Sequence, residues 1–171
     1  MTDPQLTQLG VNLKVRDYDR STAFYDAFGF RKLFEFGPNQ PGASKFRGVF
    51  YQVGNALLEV SEGHMAVRPE VFEAPIENSK ISLMVYVASL LPILAICEQR
   101  GIEISVPPRQ FPWGQIGVVV KDPDGFVIAF LSQVSPEEVQ QVQTRTSLPL
   151  VRDEPDHSDA HVLAVERRRG Q

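Results

Sequence analysis

The carboxylate best placed for chemistry is Glu59, in the apolar run Ala56–Ser61. Leu58 and Val60 alternate with it, so in a strand they would occupy one face while Glu59 occupies the other. A carboxylate on an open strand face can bind a metal ion, accept a proton as a general base, or simply be solvated. Which of these holds depends on what the neighbouring strands bring to the same face.

The remaining reactive side chains give weaker signals. His157 and His161 have the i, i+4 spacing of two metal ligands on a helix, but they lie in a polar tail without accompanying carboxylates, which indicates a chance match. His64 follows a predicted strand and is expected on a loop, where it could contact a ligand. Cys97 falls on the apolar side of a predicted helix and is expected in the core. The sequence contains no Ser-His-Asp arrangement and no phosphate-binding glycine loop.

The composition is that of an ordinary globular protein of one domain or two small fused halves. The chain has 171 residues, 43% of them hydrophobic, and a formal net charge of -4. The basic residues are scattered apart from Arg167–Arg169, which disfavours nucleic-acid binding. A single cysteine excludes an intramolecular disulfide, and no stretch approaches the about 18 apolar residues of a membrane helix. We therefore expect a cytoplasmic protein that binds neither nucleic acid nor a membrane.

A strand followed by a helix is predicted twice along the chain. Residues 9–15 alternate between apolar and polar side chains and precede a predicted helix at 21–28. The alternation returns from Ile81, ahead of a second predicted helix at 90–99. The two occurrences form an internal repeat.

Helix boundaries support the same repeat. Asp17 and Ser89 are suitable N-terminal caps for the two helices. Gly29 and Gly101 follow their last turns, where glycine commonly takes the left-handed conformation.

Each helix is followed by three predicted strands. They span 30–36, 46–53 and 56–61 in the first half, and 102–106, 116–120 and 126–131 in the second, with a break at Pro107–Arg109. The last two strands flank the turn Asp122–Gly125, a strong hairpin signal. The predicted class is α+β, with a first βαβββ module at 1–62, a linker at 63–79, a second module at 80–134, and a short helix with a polar, disordered tail at 135–171.

These segments resemble the vicinal oxygen chelate superfamily, which includes glyoxalase I, bleomycin-resistance proteins and extradiol dioxygenases. The opening NLKVRDYDRSTAFYDAFGF and the closing hairpin WGQIGVVVKDPDGFVIAF carry the resemblance, which covers about residues 8–133. It implies two βαβββ modules that form a concave mixed sheet around a ligand groove. The superfamily contains both metal enzymes and metal-free binding proteins, so the fold alone does not assign a function.

The resemblance also implies where a metal would bind. The four ligand positions of metal-dependent relatives correspond here to Gly10, Glu59, Lys80 and Ala129. Glycine and alanine offer no side-chain ligand, and a lysine ammonium is a poor one. One carboxylate does not hold a catalytic metal. We therefore predict no cofactor, with a divalent metal as the alternative.

The same alignment suggests how a groove without metal could work. Lys80 could pair with Glu59 at its floor, and the two could orient a polar ligand or act as acid and base. If the strand phases are right, the ligand-binding residues are Asn12, Lys14, Ser82, Met84 and Trp113.

Three functions follow as hypotheses. The favoured one is a glyoxalase- or bleomycin-resistance-like homodimer that binds a small organic ligand in a concave groove without metal. The alternative is a superfamily enzyme, a lyase, dioxygenase or isomerase, that uses Glu59 as a base or a non-standard metal site. A structural or regulatory partner-binding module, relying on the polar tail, has the least support.

Overall fold

Two modules of similar order make up the described part of the chain. The computed structural model describes residues 8–39, 44–63, 70, 74, 81–111, 113–146 and 151–152. The first module contains β1 (Gly10–Lys14), α1 (Tyr18–Ala27), β2 (Arg31–Phe36), β3 (Gly48–Val53) and β4 (Ala56–Ser61). The second contains β5 (Ser82–Tyr86), α2 (Leu91–Arg100), β6 (Ile104–Phe111), β7 (Gln115–Lys121) and β8 (Val127–Gln133). Helix α3 (Pro136–Arg145) and the short strand β9 (Val151–Arg152) follow.

Each module folds into its own sheet with the same strand order. The first sheet runs β1-β4-β3-β2 and the second β5-β8-β7-β6-β9. In both, the first strand pairs parallel with the fourth, and the other strands of the module pair antiparallel. Strand β9 adds to the free edge of β6 in parallel. The predicted α+β fold of two βαβββ modules is confirmed.

The two helices begin differently. As predicted, Asp17 caps α1, its side chain accepting from the Arg20 N–H. At α2, Ser89 Oγ accepts from the Leu91 N–H, but the Leu90 N–H donates to Glu138 of α3 at 2.6 Å. A carboxylate from a distant helix thus satisfies one of the amides that a helix N-terminus leaves unpaired.

A single apolar core lies on the helix-covered side of both sheets. Its largest fully buried side chains include Tyr25, Tyr51, Leu90, Ile116 and Phe130. The ring of Phe28, which follows α1, packs 4.8 Å from that of Phe130 on β8. Aromatic burial of this kind stabilises each contact by about 0.5–1.5 kcal/mol beyond the area term. The modules therefore share a core, and their opposite, concave faces stay open.

The turn between β7 and β8 also joins the modules. Asp122 and Asp124 are buried there, at 4% and 7% exposure. Asp122 accepts from the Tyr25 hydroxyl at 2.9 Å, and Asp124 accepts from the Arg16 backbone N–H at 3.1 Å and its Nε at 2.5 Å. The predicted turn is thus an anchor between the modules as well as a hairpin.

One sequence prediction about local structure is wrong, and the predicted short C-terminal helix is present. Strand β6 continues through Pro107–Arg109, where a break was expected, because its pairing with β7 shifts register between Val106 and Arg109 and so accommodates the prolines. The C-terminal helix reaches Arg145, and Val142 is fully buried against the core. The rest of the predicted disordered tail, apart from β9, lies outside the described residues. Within the described segments, no helix is long and apolar enough to cross a membrane.

Candidate functional site

The concave face of the first sheet is polar on one side and aromatic on the other. Paired residues of neighbouring strands share a face, and two rows cross this sheet. One row runs Asn12, Glu59, Phe50 and Phe34, and the next runs Lys14, Ser61, Gly48 and Phe36. The polar residues come from β1 and β4, and the aromatic residues from β2 and β3.

Lys14, Glu59 and Ser61 form a compact cluster on the polar side. The Lys14 Nζ lies 2.6 Å from Ser61 Oγ, 3.6 Å from Glu59 Oε1 and 3.5 Å from the Gly63 carbonyl oxygen. The side chains of Lys14 and Glu59 are only 16% and 18% exposed. Burial lowers the pKa of Lys14 although the Glu59 carboxylate opposes the shift. This amine is therefore easier to deprotonate than an ordinary lysine.

The aromatic side is a small wall of phenylalanines. The rings of Phe34 and Phe50 stack with centroids 4.8 Å apart, and Phe36 lies against Gly48, where a Cβ would collide with its ring. Phe34 is 55% exposed, so one aromatic surface remains available to a ligand.

The concave face of the second sheet is mainly apolar. Strand β5 exposes Ser82, Met84 and Tyr86 toward it. Met84 pairs with Ala129, and Tyr86 pairs with Leu131. At the end of β6, the Phe111 ring stacks on Trp113 at 4.7 Å, and the Trp113 Nε1–H donates to Gln115. The Trp113 side chain is held in place while most of its surface faces solvent.

A cavity of about 580 Å³ opens at the seam between the two modules. It lies where the start of β1 and the start of β4 approach β5. Its apolar lining includes Leu9, Val11, Leu57, Met84 and Tyr86. This volume falls within the range of small-molecule sites.

Comparison with known proteins identifies this architecture. The family model of the Glyoxalase/Bleomycin resistance protein/Dioxygenase superfamily matches residues 7–130. The chain belongs to this superfamily. No curated protein matches its sequence.

Solved structures of the superfamily fold agree with this assignment. TioX from Micromonospora sp. ML1 is 21% identical, with 74% of this chain and 98% of that chain covered and a TM-score of 0.54. Lactoylglutathione lyase from Agrobacterium tumefaciens is 20% identical, covering 76% and 96%, with a TM-score of 0.51. A mutant fosfomycin resistance protein, FosX, from Listeria monocytogenes, complexed with Mn(II) and 1S,2S-dihydroxypropylphosphonic acid, is 14% identical, covering 82% and 99%, with a TM-score of 0.57. These similarities show a common fold.

The superfamily's metal does not fit the residues at its usual place. Gly10 and Ala129 carry no side-chain donor atom, and Lys80 lies outside the described residues. Glu59 pairs with Asn12 in the sheet, so Lys14 and Gly10 lie on opposite sides of it along β1. The carboxylate contacts the Lys14 ammonium, away from Gly10. Within the described segments, no group of three or more His, Cys, Asp or Glu side chains could hold a metal ion.

The structure places the predicted site residues in three different positions. Asn12, Lys14 and Glu59 meet on the first concave face, as their alternation indicated. Ser82 and Met84 lie on the second concave face, near the seam, and Trp113 lies at its far edge. The proposed partner of Glu59, Lys80, and the loop residue His64 fall outside the described residues. Cys97 is buried in the core as expected.

The sequence interpretation missed two features of the site. The pairing of Glu59 with Lys80 stays a prediction, since Lys80 lies outside the described residues, but the contact of Glu59 with Lys14 from the neighbouring strand was not anticipated. A parallel pairing of the first and last strands of a module would have brought Lys14 beside Ser61 and diagonal to Glu59. The seam cavity had no signal in the sequence, because its lining comes from both modules.

Proposed function

We propose that the protein binds a small, largely apolar organic molecule in the seam between its two modules, without the divalent metal used by other superfamily members. The observation that carries this proposal is the cavity of about 580 Å³. Its lining is mostly aliphatic, with Tyr86 at one side, and burial of an apolar ligand there would contribute roughly 25 cal/mol per Å².

The second concave face extends this binding surface. From Met84 and Tyr86 at the cavity, apolar side chains continue through Leu131 to the stacked pair Phe111 and Trp113. A planar group could stack on the open face of the indole, which suits a ligand longer than the cavity itself.

A charge introduced at the cavity wall tests the binding site. Met84 is 57% exposed, so Met84→Lys should preserve the fold while placing an ammonium at the apolar surface. The probe is Nile red, an uncharged apolar dye that fluoresces on binding. We expect its affinity to fall about tenfold or more, equivalent to at least about 1.4 kcal/mol.

Leu33→Lys is the matched control. Leu33 is also exposed, at 42%, but it lies on β2 and does not line the cavity. Equal loss of dye binding in both variants, or no loss in Met84→Lys, would refute the seam as the binding site.

Metal content tests the second half of the proposal. Elemental analysis of the purified protein should find no stoichiometric Zn, Ni, Fe or Mn, and none of these ions should raise the unfolding temperature. Stoichiometric metal would favour the alternative of a non-standard metal site.

We also propose a homodimer, as is common in this superfamily. A second copy of the chain would bury apolar side chains that are exposed in the single chain, among them Leu9 and Ile81. Ile81 is not among the cavity-lining residues. Ile81→Lys should therefore shift sedimentation toward the monomer while leaving dye affinity unchanged.

A second candidate function is metal-free proton transfer with Glu59 as the base. It is favoured by the position of this carboxylate, which is largely buried on a concave face beside an ammonium and a hydroxyl. Exchange of the carbon-bound protons of dihydroxyacetone in D₂O, followed by NMR, would measure it. Glu59→Gln should abolish exchange while dye binding at the seam persists, and equal exchange in both proteins would exclude this role.

A further inference from the structure

The Lys14 cluster is a site distinct from the seam cavity. On β1, the cavity lining stops at Val11, whereas Lys14 is the last residue of the strand. Val11 and Lys14 are three residues apart, about 10 Å along the strand, while on β4 the lining reaches Leu58, the residue before Glu59. The cluster therefore has its own surroundings, formed by the polar row and the phenylalanine wall of the first sheet.

The fold does not require these polar side chains. In the second sheet, the corresponding parallel strand pair places Tyr86 against Leu131 where the first places Lys14 against Ser61. Two residues earlier along the strands, it places Met84 against Ala129 where the first places Asn12 against Glu59. The same pairing thus forms without an amine or a carboxylate. Replacing ionic groups in such positions by apolar ones is often neutral for stability, so stability alone does not explain the cluster.

The amine of Lys14, the carboxylate of Glu59 and the hydroxyl of Ser61 are the groups that imine formation with a carbonyl compound uses. An amine is nucleophilic only when it is uncharged, and partial burial favours that form at Lys14. Glu59, 3.6 Å away, can accept a proton, and the Ser61 hydroxyl at 2.6 Å can pass one between nitrogen and oxygen. The Lys14 side chain is not fully enclosed, since 16% of its surface is exposed.

We propose that Lys14 forms an imine with small aldehydes or ketones, positioned by Glu59 and Ser61. The uncharged Nζ adds to the carbonyl carbon, and the carbonyl oxygen takes up a proton to give a carbinolamine. Loss of the hydroxyl as water then leaves a carbon–nitrogen double bond. One carbonyl and one amine yield one imine and one water, and the reaction needs no oxidant or reductant.

The neighbouring wall specifies the class of carbonyl compound. Phe50 lies directly across from Glu59, and its ring stacks with the exposed Phe34. An aryl substituent on the carbonyl carbon could pack against these rings, a contribution of about 0.5–1.5 kcal/mol. Aromatic aldehydes should therefore react faster than aliphatic aldehydes of similar intrinsic reactivity.

Reductive trapping tests the proposal with the full-length protein. Benzaldehyde and sodium cyanoborohydride convert an imine into a stable benzyl-lysine, which peptide mass spectrometry locates. The exposed Lys121, at the end of β7, is an internal control in the same sample. We expect Lys14 to be benzylated severalfold faster than Lys121, because partial burial lowers the pKa of Lys14 and so favours its uncharged amine.

Two variants separate chemistry from structure. Glu59→Gln should slow labelling of Lys14 severalfold and leave that of Lys121 unchanged, whereas Phe34→Leu should reduce the preference for benzaldehyde over propanal. Lys14 labelling no faster than that of Lys121 in the wild-type protein would overturn the proposal. The test is independent of the seam site, because dye binding with Met84→Lys can succeed or fail without affecting the labelling of Lys14.

Discussion

The two concave faces have the same strand pairing and opposite chemistry. In the first sheet, Lys14 lies against Ser61 with Glu59 nearby, while at the same place in the second Tyr86 lies against Leu131. Both pairs join the first and fourth strands of a module, and both leave the helix-covered core unchanged. The fold therefore tolerates either polar or apolar side chains on the concave face of the first and fourth strands. The fold does not determine the chemistry of either face.

The two hairpin turns differ as strongly. The β3–β4 turn, with Gly54 and Asn55, is exposed and borders the seam cavity. The β7–β8 turn is buried, and its Asp122 accepts hydrogen bonds from Tyr25 Oη and from two backbone N–H groups, those of Asp124 and Phe126. Burial raises the pKa of Asp122, while these hydrogen bonds oppose the shift. One turn anchors the modules and the other leaves the seam open.

The largest effect should come from breaking the anchoring turn. Asp122→Ala leaves the Tyr25 hydroxyl and two amides without their acceptor, and we expect a loss of about 3 kcal/mol in the free energy of unfolding. Asn55→Ala in the exposed turn should change it by less than about 0.5 kcal/mol. Urea denaturation measures both, and comparable losses would contradict the difference between the turns.

Substitutions that exchange polar and apolar side chains between the two concave faces should have an intermediate effect on the free energy of unfolding. Lys14→Met leaves Glu59 without its counter-charge and should cost about 1–2 kcal/mol, less than for a fully buried pair because both groups keep some solvent. Adding Glu59→Gln should recover part of this loss. Met84→Lys should stay within about 0.5 kcal/mol, since Met84 is exposed. A double-mutant cycle by thermal denaturation gives the coupling, and a coupling near zero would mean that the ion pair is incidental.

The smallest effect, that of Gly48→Ala, comes from a comparison of two glycines that lie beneath aromatic rings. A Cβ at Gly117 would lie 2.5 Å from Leu131 Cδ2 and 3.1 Å from both Phe111 Cε2 and the Phe130 carbonyl oxygen. We expect Gly117→Ala to cost about 1–2 kcal/mol. At Gly48 only Phe36 interferes, and this residue ends the edge strand β2, where its ring can rotate away. Gly48→Ala should therefore cost less than about 1 kcal/mol in urea denaturation, and the reverse ranking would contradict this account.

Local sequence signals were sufficient for the fold. Alternation of apolar residues located β1 and β5, Asp17 located the start of α1, and Gly101, which adopts a φ of 62°, located the end of α2. These features depend on residues close in sequence. The internal repeat then gave the module order.

The site was only partly predictable because its contacts join distant residues. The sheet face on which Asn12, Lys14 and Glu59 lie follows from the alternation within single strands, so it could be predicted. The Lys14–Glu59 contact required the strand register, and Glu138 at the start of α2 required the docking of α3. Pro107 and Pro108 led to the wrong prediction of a break in the strand. They lack backbone N–H groups, but a register shift between β6 and β7 means that none is needed at these positions.

The anchoring turn also sets a time order during synthesis. Tyr25 and Arg16 belong to the first part of the chain, but their partners Asp122 and Asp124 follow 97 and 108 residues later. At about 5–20 residues per second, a ribosome needs on the order of 5–20 s to cover that distance. During this interval the nascent first module exposes the phenol and guanidinium that its finished form buries or pairs. Completion of the second hairpin is therefore the step at which the early half of the chain can reach its final packing.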